Sequence, residues 1–268
     1  MVPPAAIAQI ESMKPALSLI DQLGIRRLKT DKLITQIPVE VTGHAIQPVI
    51  LEEGLHVEND PAFALRAITV SKWGSMITCT EELLEDQSLF QSWFPAACAR
   101  RMALQENAQL YATLAAGGTL GDKLNASHTM TEAELITAWQ VMPAPWRTGA
   151  RVVMADLTAN AIRALLIATP RAFSPGVEFL WASTNSSLLG MPLFTDPNWP
   201  PITTSGADVE FLTMVNPAGV LFVQRHGIEV VRDDYGAALN GYTRFFPTAR
   251  WCIGIGDPVS VVHMTDTA

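Results

Sequence analysis

From Ser88 to Ala116 the apolar residues Phe90, Phe94, Ala97 or Cys98, Met102, Leu104, Ala108, Tyr111 and Leu114 recur at helical spacing. At 1.5 Å per residue that helix would run roughly 40 Å, longer than a compact domain usually needs. Pro95 cannot donate the interior hydrogen bond, so it should kink or restart the helix, and Gly117-Gly118 should end it. An acidic turn, Glu81 to Asp86, leads into it.

The flanking patterns differ in kind. Residues 1–28 alternate short amphipathic pieces with Ala and Pro, and hold too few large apolar groups to form a core alone. They read as an arm lying across something else. From Leu28 to Val70, β-branched residues in loose alternation are broken by Gly43, Pro48, Gly54 and Asn59-Asp60-Pro61, which predicts a long hairpin or loop. The segment FALRAITV should return from it as a strand.

Downstream, Thr131 and Glu134 have capping-box spacing and open a helix over EAELITAWQVM. ARVVMA reads as a buried strand and DLTANAIRALLIA as a helix capped by Asp156 or Thr158. From Gly176 onward the pattern is mainly β. The sum is an α+β chain without regular βαβ alternation or internal repeat.

Composition narrows what such a chain can do. Apolar residues make up 49% and charged residues only 16%, so the chain is globular and should bury surface against other copies. The net charge of -8 weighs against tight nucleic-acid binding, which needs a basic surface. No apolar run is long enough to span a membrane, and the N-terminal residues lack the pattern of a secretory signal. Cys79, Cys98 and Cys252 are odd in number and far apart, and read as buried thiols in a reducing compartment.

No assembled chemistry emerges. GGTLGDK superficially resembles a phosphate-binding loop but lacks the GK[ST] ending and follows a helix, so it reads as a helix stop with a turn. There is no GxSxG or HExxH, and His44, His56, His128, His226 and His263 are scattered. No catalytic, cofactor-binding or metal-ligating residue is expected. Arg100 and Arg101 with Glu106 read as ion pairs or contacts to a neighbouring subunit.

The order of these elements resembles the major capsid proteins of tailed bacteriophages, with the Hong Kong 97 type of shell fold. In VSKWGSMITCTEELLEDQSLFQSWF, Lys72, Glu82, Leu83, Leu84 and Asp86 stand where that family has its lysine and its Ser-x-Glu-Leu-Leu-x-Asp turn, with Thr80 near the usual serine. GARVVMADLTANAIRAL is similar to its strand and helix. LLGMPLFTD is similar to its Gly-aromatic-Pro-aliphatic strand, with Met191 in the aromatic place. VLFVQRHGIEVVRDDYG and ARWCIGIGDPVSVVHM are similar to its Arg-x-Gly strand, exposed loop and closing strand pair.

The resemblance implies an arm (1–28) that reaches under a neighbour and an extended loop (29–70) that lies over one. It implies a peripheral domain (71–120 and 226–250) built on the spine helix, and an axial domain (121–225 and 251–268). It also implies a non-enzymatic shell of pentamers and hexamers, with a portal protein and a cement or decoration protein as partners, assembled in the host cytoplasm. The shell would enclose double-stranded DNA with weak contact and involve no membrane. Intersubunit contacts are expected at Glu52, Glu53, His56, Arg100, Arg101, Arg232, Asp233, Asp234 and Asn240.

Two departures shape these expectations. The loop tip, Thr42 to Pro61, holds no lysine, and FFPTAR offers no glutamate, so an isopeptide bond to Asn240 is not expected and the shell should be held non-covalently. No long charged helical segment precedes residue 28, so either a separate scaffolding protein guides assembly or the chain is a processed one. An encapsulin-type compartment and a soluble enzyme are the alternatives.

Overall fold

A computed structural model describes residues 4–14, 17–40, 63–82, 88–124, 130–168, 187–202, 209–236 and 241–266. Two helices, α1 (Pro4–Met13) and α2 (Leu19–Gln22), precede β1 (Arg26–Lys29). A hairpin, β2 (Ile34–Glu40) and β3 (Phe63–Thr69), leads to β4 (Ser71–Gly74) and β5 (Ile77–Thr80). Then come the spine helix α3 (Ser88–Gly117), β6 (Thr119–Lys123), α4 (Glu132–Val141), α5 (Ala144–Arg147), β7 (Arg151–Met154) and α6 (Asp156–Ala168). The chain finishes with β8 (Ser187–Leu188), β9 (Met191–Thr195), β10 (Val209–Val215), β11 (Val220–Asp233), β12 (Tyr242–Ile255) and β13 (Val261–Asp266).

The strands form two larger sheets and a separate ribbon. One sheet runs β1-β11-β12-β4, with β5 also pairing with β12; the other runs β6-β13-β10-β7-β9-β8. The β2–β3 ribbon pairs in full antiparallel register from Ile34↔Thr69 to Glu40↔Phe63. Its root is anchored where Ile68 packs on Gly254, so closely that a Cβ on the glycine would stand 2.1 Å from Ile68 Cδ1. Residues 41–62 beyond it lie outside the described residues.

The spine helix packs against both sheets along one buried stripe. Phe94, Cys98, Leu110 and Leu114 are buried in a core that also takes Phe222 and Trp251 from the first sheet and Val153 and Val215 from the second. Pro95 lies inside the helix, which continues through it instead of restarting. Leu104, expected on the apolar face, is exposed, and Ala103 is buried in its place.

Two further expectations are corrected. GGTLGDK is no turn: Thr119–Lys123 form strand β6, parallel to β13. The glycines serve close packing, since a Cβ on Gly118 would come within 2.8 Å of Val261 and 2.9 Å of the Leu114 carbonyl oxygen. Thr158 does not cap α6; its hydroxyl accepts the Ile202 N–H at 3.2 Å. Strands β11 and β12 each run unbroken for 14 residues. The chain passes between sheets at the short 3-10 turns Pro217–Gly219 and Pro258–Ser260, joined by the Asn216 N–H on Ser260 O at 2.8 Å.

The arm does not wait for a neighbour. Ile10, Leu19, Ile20 and Leu23 are all but fully buried in the chain's own core, and α1 and α2 pack on α3. Reaching another subunit would leave these side chains without that burial, at a cost of about 1.5–3 kcal/mol each.

Candidate assembly surfaces and the arm joint

Glu106 and Asn107 interrupt the buried stripe of α3 with polar groups, and both are fully or nearly fully buried. A buried carboxylate needs partners, and the arm supplies them. Ser18 Oγ donates to Glu106 Oε2 at 3.1 Å, Arg27 Nη2 reaches the same oxygen at 3.3 Å, and Lys14 pairs with Oε1. Arg27 also grips Asp21 through two hydrogen bonds of 2.7 Å. Its guanidinium lies 4.4 Å from the Phe222 ring centroid, covering the first sheet. Burial alone would lower the Arg27 pKa, but Asp21 and Glu106 outweigh it and hold the group above its ordinary value.

Asn107 extends the joint to the second sheet. Its Oδ1 accepts the Leu19 N–H at 2.9 Å, while its Nδ2 donates to Asp196 Oδ2 at 2.7 Å. Asp196 Oδ1 in turn accepts both the backbone and side-chain N–H of Asn198, at 2.8 and 2.7 Å. Beside it, Trp199 meets Tyr111 edge-on at 5.2 Å and donates to Thr213 at 3.0 Å. Arm, spine and both sheets thus meet at two consecutive residues.

The expected grouping of Glu106 with Arg100 and Arg101 is therefore corrected. Both arginines are exposed, whereas Glu106 faces inward to Lys14 and Arg27. Residues five and six apart do not face each other on a helix. The missed signal was Glu106 standing four residues from Leu110 and eight from Leu114 and Cys98, on the buried stripe.

Other expected contact residues are spread over the surface. Arg101 borders a groove of about 710 Å³ lined by Trp73, Trp93, Met102 and Trp251. At the far end of β11, Arg232 pairs with Asp234, and Asp233 Oδ1 accepts the N–H groups of Tyr235 and Gly236 at 3.0 and 2.9 Å. Those bonds hold the Asp233 pKa below the usual carboxylate value. Tyr235 beside them is 92% exposed. Glu52, Glu53, His56 and Asn240 lie outside the described residues. Among the described residues no three His, Cys, Asp or Glu side chains gather as metal ligands, and no helix is long and apolar enough to cross a membrane.

The two-sheet body with its long helix and projecting ribbon has known counterparts. It superposes on the capsid of a native GTA particle with a TM-score of 0.75 at 17% identity, covering 94% of this chain and 91% of that one. The Gordonia phage Cozz structure gives 0.65 at 12% identity, covering 94% and 87%. The bacteriophage PhiM1 mature capsid gives 0.63 at 11%, covering 93% and 87%. At such identities the likeness establishes the fold, the Hong Kong 97 type. The sequence itself matches the model of the Phage capsid family over residues 1–266. The chain belongs to the phage capsid family.

This capsid protein is a structural protein of the virion, a major capsid protein that associates with its own copies into capsomers and forms the head shell. No curated protein matches its sequence. The compartment and enzyme alternatives are not favoured by these matches. The polar joint at Glu106 and Asn107 is accordingly a structural device: it fixes how the arm, spine and two sheets of one shell subunit sit together.

Proposed function

We propose that this subunit encloses double-stranded DNA in an icosahedral head of pentamers and hexamers, held by non-covalent contacts alone, and that it has no enzymatic activity. The first sheet with the spine helix acts as the peripheral domain and the second sheet as the axial one, meeting its copies at the symmetry axes. Residues 29–70 serve as the loop over a neighbour, and a portal protein, a separate scaffolding protein and a cement or decoration protein are its partners in the host cytoplasm.

The observation that carries this reading is the β2–β3 ribbon. Two strands alone are marginally stable in water, yet this ribbon belongs to neither larger sheet and exposes Leu33, Ile34 and Leu65, the last at 64%. A neighbouring copy would cover those side chains. Glu52, Glu53 and His56 within residues 29–70, Arg100 and Arg101 on the spine, Arg232, Asp233 and Asp234 at the end of β11, and Asn240 are the contacts we assign to such neighbours.

Sedimentation of the expressed chain, followed by electron microscopy of the heavy fraction, tests the reading. Closed particles of icosahedral symmetry that contain nucleic acid are expected. A stable monomer or dimer, even with the scaffolding protein supplied, would overturn it.

A further inference from the structure

A pocket of about 340 Å³ opens between the arm and the first sheet, and its charge runs against that of the chain. Lys14, Arg27, Lys29 and Arg225 line it with Asp21, and Glu106 lies behind. Four cations thus face two carboxylates on a chain of net charge -8. The carboxylates are already committed: Asp21 takes the Arg27 fork, and Glu106 takes Lys14 with the remaining reach of Arg27.

The other donors are held open by an irregularity in β11. Gln224 pairs with Trp251 and His226 with Arg250, so Arg225 is the extra residue of a β-bulge. Successive side chains of a regular strand point to opposite faces, but a bulge re-aims them. Here the consecutive Gln224 and Arg225 both line the pocket. Arg225 Nε is buried and has no hydrogen-bond partner among the described residues, a costly state for a donor unless something accepts from it. Lys29 stands opposite Gln224 on β1, exposed at the mouth.

The geometry points to an oxyanion site here: the pocket takes a phosphate group, and in the shell that group is a backbone phosphate of the enclosed DNA. A carboxylate is satisfied by one planar fork, as Asp21 on Arg27 illustrates within the same pocket. The remaining donors are spread over three side chains on two strands, Lys29, Gln224 and Arg225, a set better matched by the several oxygens of a tetrahedral oxyanion than by one planar carboxylate. One such pocket per subunit binds weakly. Repeated over a shell, many pockets hold DNA by avidity while the acidic remainder of the surface keeps it mobile. The DNA assignment rests on the head-shell function proposed above; the oxyanion site itself does not.

The test is fluorescence anisotropy of a short labelled duplex with the unassembled full chain at low salt, with inorganic phosphate as competitor. Wild type should bind with a log–log salt slope of about -1 to -2, and phosphate should compete. Lys29→Gln with Arg225→Gln should weaken binding about tenfold or more and flatten the slope by about 1, whereas Lys72→Gln on β4 should change nothing. Lys29→Glu, at an exposed position, should reproduce the loss with an unchanged Tm. Equal binding by wild type and the pocket variants would overturn the site. So would variants that bind DNA normally but fail to form shells, which would give the pocket to an acidic side chain of a neighbouring copy. Phosphate binding without duplex binding would keep the oxyanion site and overturn its assignment to DNA. Shell formation by wild type is scored separately by electron microscopy, so a failure of the capsid function is told apart from a failure of the pocket.

Discussion

The hydroxyl of Ser18 donates to the carboxylate of Glu106 at 3.1 Å across 88 residues of chain, with both side chains buried. With Lys14 and Arg27 it makes Glu106 the anchor of the arm. Removing one partner of a buried ion pair costs about 3–5 kcal/mol because the other charge is left uncompensated. Arg27 is a quarter exposed and keeps Asp21, so the lower end applies. Glu106→Ala should lose about 3 kcal/mol in urea denaturation, and Glu106→Gln less. A loss under 1 kcal/mol would show that the arm is held by its apolar residues alone.

Much of this fold was legible in the sequence, and what was not had a physical reason. The spine helix ends within one residue of its expected limit, since apolar spacing and a glycine pair are local signals. The Thr131–Glu134 capping box is present in both its hydrogen bonds, 3.3 and 2.7 Å. The role of Glu106 was hidden because its partners are remote in sequence. The bulge at Arg225, through which β11 runs on as one long strand, leaves no signal in the residue pattern because it depends on pairing with the remote β12. The tight turn at Leu189-Gly190, with φ of 53° and 77°, joins β8 to β9 inside the resemblance motif LLGMPLFTD.

Gly118 should not tolerate even a methyl group. Its Cβ would meet Val261 Cγ1 at 2.8 Å, His263 Nδ1 at 2.9 Å and the Leu114 carbonyl oxygen at 2.9 Å. The first could shift, but the last is helix backbone. Gly118→Ala should cost about 1–3 kcal/mol of stability, measured by the urea midpoint, and an unchanged midpoint would refute the close-packing role.

His263 should make the subunit sensitive to acid. Burial holds its imidazole below the ordinary value of 6.5, only partly offset by Glu210. The unfolded chain therefore takes up this proton first, so stability is undiminished above about pH 6.5 and falls as pH drops toward the lower folded value. His263→Gln should reduce the loss of stability between about pH 7 and pH 5. Parallel denaturation curves for wild type and variant across that range would contradict this.

Charge at Glu52 and Glu53 should matter to shells and not to the subunit. Glu52→Lys with Glu53→Lys is expected to leave a folded, soluble chain by circular dichroism while impairing particle formation in electron microscopy. A double variant that assembles normally would remove these residues from the contact surface.

The pairing of β1 with β11, from Arg26↔Leu221 to Lys29↔Gln224, has a consequence for synthesis. On the ribosome the arm is made first, but Glu106 and Asn107 emerge only after the spine helix, and β11 later still. Contacts so distant in sequence close slowly, after local structure has formed. Until then Ile10, Leu19, Ile20 and Leu23 have no core to enter, and they are exposed while other copies accumulate nearby. The arm is made before every element that buries it, so each subunit stays open to premature association until β11 and β12 have followed.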